Sequence, residues 1–384
     1  MLPPPEKLPM NPIFKDSFMP STPSIHILPN EVLGRIFLFC LPLQGSKFNF
    51  FLSPRLQITR YVSPVRTILR VSSRWRRVAI STPKLWSILS INRPYPSSAL
   101  RKLLPLHLER SRDVPLDIWW NYNHIGSFAH ADTEEDGMKL IDVMRPHFRR
   151  IRRLEVIGFP GNMWQELGLD SDGDTVMNGS HFLNLCDLTI TNCLPQLTPN
   201  TGTFEALIPI PWHALSTLTI SCYADTVVPE VLRACSTGSK LRSLFLSLKE
   251  PTKISSFDWY KSVSPPVTLS NLEHLKIGIQ CDQTGFTMTT KLLSRMCAGP
   301  SLWDLEFVRC VPWRAALEWL SQEKKEKFSG RLVNEMERFL ERSGCKGAVM
   351  RLDLGEVPFV EGDVERLVEM LPALREKIRT NKTG

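Results

Sequence analysis

The chain has 384 residues, enough for two or three domains, and 42% of them are hydrophobic, which excludes a disordered or low-complexity chain as a whole. Lys and Arg (47) outnumber Asp and Glu (39), giving a net charge of +8. Nine Cys stand at positions 40, 186, 193, 222, 235, 281, 297, 310 and 345 with no Cys-x-x-Cys pair, so neither a zinc site nor a redox motif is signalled.

An odd number of cysteines without a secretory leader points to a reducing compartment, cytoplasmic or nuclear. In that setting the glycosylation patterns at Asn178-Gly-Ser and Asn381-Lys-Thr have no consequence. Residues 36–43 form the strongest apolar run near the start. They are too few to span a bilayer, and no membrane partner is expected.

Residues 1–24 contain seven prolines and few apolar anchors, which predicts a disordered leader or, alternatively, an extended strap. Residues 25–92 then hold ten basic side chains and one acid, Glu31, a surplus of +9 that leaves the remaining chain near neutral. Such a surplus in a short apolar-rich stretch predicts a docking face for an acidic partner. Pro29 and Glu31 suit a first helical turn, and Val32, Leu33, Ile36, Phe37 and Leu41 recur at helical spacing until Pro42. Residues 43–62 break the pattern as an inserted loop. Ser63-Pro64 offers a second helix start, and Val65, Ile68, Leu69, Ser72, Trp75, Val78 and Ala79 follow on one stripe. Arg66, Arg70, Arg74, Arg76 and Arg77 occupy the rest of that surface. Ser81-Thr-Pro83 opens a short third helix containing Leu85 and Trp86.

These residues resemble an F-box, the adaptor-binding domain of SCF-type ubiquitin ligases. Leu28, Pro29 and Glu31 match its opening element, and Val32, Leu33, Ile36, Phe37 and Leu41 match its apolar stripe. Val71 and Trp75 match the third element, with Ser72 in place of the common Cys. Ala79, Pro83, Leu85 and Trp86 match the last. The loop at 43–62 is an insertion relative to the compact family domain.

Beyond residue 92 a template of the form apolar-x-x-Leu-x-apolar recurs seven times. It occurs at Ile151/Leu154/Val156, Leu185/Leu188/Ile190, Leu215/Leu218/Ile220 and Leu241/Leu244/Leu246, then at Leu272/Leu275/Ile277, Leu302/Leu305/Phe307 and Val349/Leu352/Leu354. The closing alternation predicts a strand in each copy. Helix-like stretches at 228–235, 290–297 and 316–339 lie between copies. Residues 114–120 read as an additional edge strand and residues 363–374 as a capping helix. The template resembles leucine-rich repeats, with Cys193 and Cys310 at the family's Asn/Cys position, although the connections are longer than usual. The resulting fold class is α+α/β: a small N-terminal helical F-box (25–92), then an irregular leucine-rich-repeat-like α/β solenoid with a parallel sheet (93–384).

Catalysis is not signalled. There is no glycine-rich phosphate cradle and no Gly-x-Ser-x-Gly elbow. Asp170-Ser-Asp-Gly-Asp174 starts like a calcium loop, but Thr175 and His181 occupy the positions that need Gly and Glu. His124 and His130 near Asp132, Glu134, Glu135 and Asp136 fit no metal template. The scattered cysteines read as small core residues, and Glu323-Lys-Lys-Glu-Lys327 as a solvated helix surface. Arg74-Trp75-Arg76-Arg77 admits nucleic-acid binding, with Arg on phosphates and Trp stacking, as a minor reading against an adaptor rim or an ordinary solvated face.

No enzyme activity, cofactor or metal is therefore expected. The resemblance implies a substrate receptor of the kind expanded in mushroom-forming fungi. The F-box would dock on a Skp-type adaptor and through it on a cullin–RING ligase. The adaptor-binding residues implied are Leu28, Pro29, Glu31, Val32, Leu33, Ile36, Phe37, Leu41, Val71 and Trp75. The repeat domain would hold a target protein for ubiquitin-dependent degradation. A scaffold that binds the adaptor without ubiquitination would have the same sequence signature.

Overall fold

The computed structural model describes residues 25–41, 64–92, 97–122, 132–159, 163, 167, 181–191, 210–223, 227–236, 238, 240–249, 266–279, 283–309, 322–354, 357 and 359–371. The leader, the insertion at 43–62 and the calcium-like loop up to residue 180 lie outside the described residues, as do His124 and His130.

Among the described residues, nine strands form one all-parallel sheet in the order β1-β2-β3-β4-β5-β6-β8-β10-β11. They are β1 (Ile88–Asn92), β2 (Leu116–Asn121), β3 (Ile151–Ile157), β4 (Asp187–Thr191), β5 (Thr217–Tyr223), β6 (Ser243–Lys249), β8 (His274–Ile279), β10 (Asp304–Arg309) and β11 (Arg351–Asp353). β7 (Val267–Leu269) and β9 (Met296–Ala298) make a separate parallel pair. Each of the seven template copies coincides with one strand, β3 to β6, β8, β10 and β11.

Register explains the template. Leu89, Ile118, Leu154, Leu188, Leu218, Leu244, Leu275, Leu305 and Leu352 are partners across the nine strands. All are buried. Because side chains alternate along a strand, the residue two positions on forms a second buried column. Burying each such side chain is worth roughly 1.5–3 kcal/mol. In six of the seven copies the first apolar residue closes the turn before its strand, as where Leu215 N–H donates to Trp212 O at 3.4 Å. One carbonyl then ties each strand to the next. Cys186 O accepts from Ser216 and Thr217 N–H (2.8 and 3.0 Å), and Ser216 O from Arg242 and Ser243 (2.9 and 3.0 Å). Arg242 O, Glu273 O and Trp303 O repeat the step.

Strand order never reverses along the sheet. With right-handed crossovers, the connecting helices among the described residues fall on the same face. These are α4 (Ser97–Ser111), α5 (Asp132–Met144), α6 (Val227–Ser236), α7 (Gln283–Ser294) and α8 (Gln322–Ser343), followed by α9 (Glu361–Met370). Their inward side chains, such as Leu108, Ile141, Val231, Leu293 and Phe339, share one continuous core with the two strand columns. Gly299 sits where β9 turns back: a Cβ there would lie 2.0 Å from the Ser270 carbonyl oxygen.

Ahead of the sheet stand α1 (Asn30–Phe39), α2 (Pro64–Val71), α3 (Ser73–Ile80) and a 3-10 turn (Pro83–Leu85). They have their own core of Leu33, Phe37, Val65, Ile68, Val78, Ala79, Leu85 and Trp86.

Several expectations change. The segment 114–120 does form β2, but β1 pairs outside it, so β2 is interior and the sheet begins four residues before the boundary expected at 92. The helix expected over 290–297 ends at Ser294, and Cys297 lies in β9. The stretch after Pro64 is two helices. Ser72 leaves the helical conformation (φ −158°, ψ 165°), and its Oγ accepts from Trp75 N–H at 3.1 Å, so it caps α3. Cys235 and Cys345 are buried as expected of core residues, but Cys40 is exposed.

Candidate docking surfaces

In the helical unit, Arg74 ties the start of α1 to α3. Its Nε donates to Asn30 Oδ1 at 3.1 Å and its Nη2 to Leu28 O. Pro29 is the N-cap, with ψ 151°, so α1 begins one residue later than expected. Gly34 lets α1 approach the end of α3: a Cβ there would be 3.3 Å from Thr82 Oγ1. A groove of about 310 Å³ opens beside this crossing, lined by Asn30, Glu31, Arg35, Ser81 and Thr82 among others. Phe37 and Trp75 pack with ring centroids 4.9 Å apart. The Trp75 ring thus packs partly into the core of the helical unit.

This packing sorts the expected adaptor-binding residues. Leu33 and Phe37 are 0% and 1% exposed; they hold the helices together and present nothing to a partner. That corrects their expected role. Trp75 and Leu41 are half-buried against the same core. Pro29, Glu31, Val32 and Val71 are exposed, and Leu28 and Ile36 are partly so.

Sequence reasoning missed the two most exposed large apolar side chains among the described residues, Phe39 (80%) and Ile27 (72%). Phe39 had a readable signal. It lies seven residues from Val32 and three from Ile36, so the three form an outward stripe on α1 beside the inward one. Around the unit Arg35, Arg66, Arg70, Arg76 and Arg77 are exposed.

Trp86 joins this unit to the sheet. Its Nε1 donates to Ala79 O at 2.8 Å, its ring meets His107 of α4 edge-on at 4.9 Å, and the Arg110 guanidinium lies 4.5 Å over it. Burial, assisted by the Arg110 charge, pushes His107 down to about 4, so the imidazole is neutral at this joint.

The second surface is the sheet face opposite the helices. In-register rows of half-buried side chains run across it, among them Trp119, Glu155, Thr189, Thr219, Phe245, Lys276, Glu306 and Asp353. Ion pairs knit neighbouring strands. Arg152 holds the buried Asp117 with two contacts at 2.7 and 2.9 Å. Arg153 reaches Asp187 at 2.8 Å, Lys276 reaches Glu306 at 2.6 Å, and Arg351 reaches Asp304 at 3.3 Å. His274 Nδ1 also faces Asp304, at 3.1 Å. Glu155 differs: it takes a hydrogen bond from the Trp119 indole, and burial pushes its carboxyl up to about 7 against that bond and the Arg153 charge.

Among the described residues, no three His, Cys, Asp or Glu side chains converge as metal ligands, and no helix is long and apolar enough to cross a membrane. The class defined by the fold is an α/β protein built on one long parallel sheet. No family model matches the chain, and no curated protein matches it in sequence.

Proposed function

We propose that the chain is an F-box-type substrate receptor of an SCF-type ubiquitin ligase. In this reading residues 25–86 dock on an acidic Skp-type adaptor, and the sheet, as an irregular leucine-rich-repeat-like solenoid, holds a target protein on its open face. The observation that carries it is the outward apolar stripe of α1, Val32, Ile36 and Phe39, on a small unit that has a separate core and a rim of exposed arginines. An apolar centre supplies affinity, and the cationic rim steers an acidic partner and fixes its orientation. The partner's contribution is tethering, since a target held beside a conjugating enzyme reacts at high effective concentration without covalent chemistry by this chain.

Co-purification of the full chain with a Skp-type adaptor tests this directly. Val32→Asp with Phe39→Asp changes only exposed positions, so it leaves the melting temperature in place while weakening the adaptor complex by about 100-fold or more. A wild-type chain that does not bind the adaptor, or a double variant that binds it undiminished, overturns the proposal.

A further inference from the structure

Among the described residues of the open sheet face, the Glu155 carboxylate is held by the Trp119 indole and belongs to no ion pair. Among the described side chains of this face, each cation has an acid partner: Arg152 with Asp117, Arg153 with Asp187, Arg242 with Glu273, Lys276 with Glu306, and Arg351 with Asp304 and Asp353. Glu155 is part of no such pair. It stands in register between Trp119 of β2 and Thr189 of β4. The cation that acts on it, Arg153 on its own strand, also holds Asp187 through bonds of 3.0 and 2.8 Å.

We propose that Glu155 and Trp119 form a receptor for a lysine or arginine side chain of a protein partner docked on the open face. The Trp119 indole N–H fixes one edge of the carboxylate and leaves the other oxygen lone pairs available. The indole face supplies a wall for the aliphatic stem and a cation–π contact for the charged head. Charge complementarity selects a cation, because an anionic group would meet the Glu155 carboxylate while Arg152 and Arg153 already hold Asp117 and Asp187. The proposal names the chemistry of the target site in the preceding reading but does not need the adaptor.

Docking a cation favours the ionised carboxylate, so binding expels a proton. The groups facing Glu155 are Trp119 and the Asp117–Arg152 pair from β2 and β3, Arg153 on β3, and Asp187 and Thr189 on β4. A carboxyl titrating near 7 is about one-tenth ionised at pH 6 and nine-tenths at pH 8. A lysine side chain stays charged throughout that range.

The test is calorimetric titration of the full chain with hexalysine at low salt, at pH 6 and 8, in buffers of different ionisation enthalpy. The expected result is affinity about tenfold higher at pH 8, with proton release near pH 7. Glu155→Gln, which still accepts from Trp119, abolishes both effects. Glu155→Asp retains proton release and guards against a variant that loses binding by misfolding. Glu341→Gln, on the exposed surface of α8, changes neither. Equal binding and equal pH dependence in Glu155→Gln and wild type, or no binding of hexalysine by wild type, overturns the proposal. Adaptor co-purification of Glu155→Gln stays intact, so failure here and failure of the ligase reading are separable.

Discussion

Replacing Glu155 by Gln is expected to stabilise the protein at neutral and alkaline pH, although it removes a charged side chain from a sheet surface. Burial raises the folded carboxyl from its ordinary value of 4.5 to about 7, so the folded state binds this proton more tightly than the unfolded chain does. The stability contributed is fully present below about pH 4.5 and is lost as pH rises through about 7. The difference between 4.5 and about 7 amounts to roughly 3–4 kcal/mol above pH 7. Gln has nearly the same shape, accepts the Trp119 hydrogen bond and does not titrate. The variant should therefore match wild type near pH 4.5 and exceed it by up to about 3 kcal/mol at pH 8, most of the gap opening between pH 5 and 7. Denaturant unfolding of both proteins across that range measures it, and the other titrating groups cancel in the difference. A stability difference that stays flat with pH would show that Glu155 carries its ordinary pKa and is hydrated on the sheet face.

Two further outcomes follow from packing. Leu244→Ala, in the middle of the buried column and 0% exposed, is expected to cost about 2–5 kcal/mol, measured by the same unfolding assay; a loss below about 1 kcal/mol would mean the column is loosely packed. Ser72→Ala removes the cap of α3 and leaves the Trp75 N–H unpaired, at a cost of about 1 kcal/mol confined to the helical unit, visible as faster amide exchange in α3 with the sheet unchanged.

How far the fold was readable from the chain depends on which periodicity had a competitor. The central Leu of each template copy identified its strand because the flanking positions alternate and a buried parallel strand tolerates little else. β1 was hidden because Ile88–Asn92 follows Trp86 after a single residue, and the helical pattern before it extended the expected helical segment over a strand. β7 and β9 are three residues each, too short to show a period. In α1 the ambiguity was physical. Val32, Leu33, Ile36, Phe37, Leu38 and Phe39 put apolar side chains on two adjoining faces, and periodicity alone does not say which face packs. In the fold Gly34 faces Thr82 on the same side as the buried Leu33 and Phe37, so this is the face that packs. Once that side is fixed, Val32 and Phe39 lie exposed with Ile36 partly so, and under the proposed function this outward apolar surface is the docking element. The same logic applies to Glu155. Its outward position could be counted from Leu154, but its character comes from Trp119, 36 residues earlier in the chain and adjacent only because β2 and β3 pair in register. Both candidate surfaces thus consist of residues that local folding leaves unused, and the pairing of distant segments determines which residues those are.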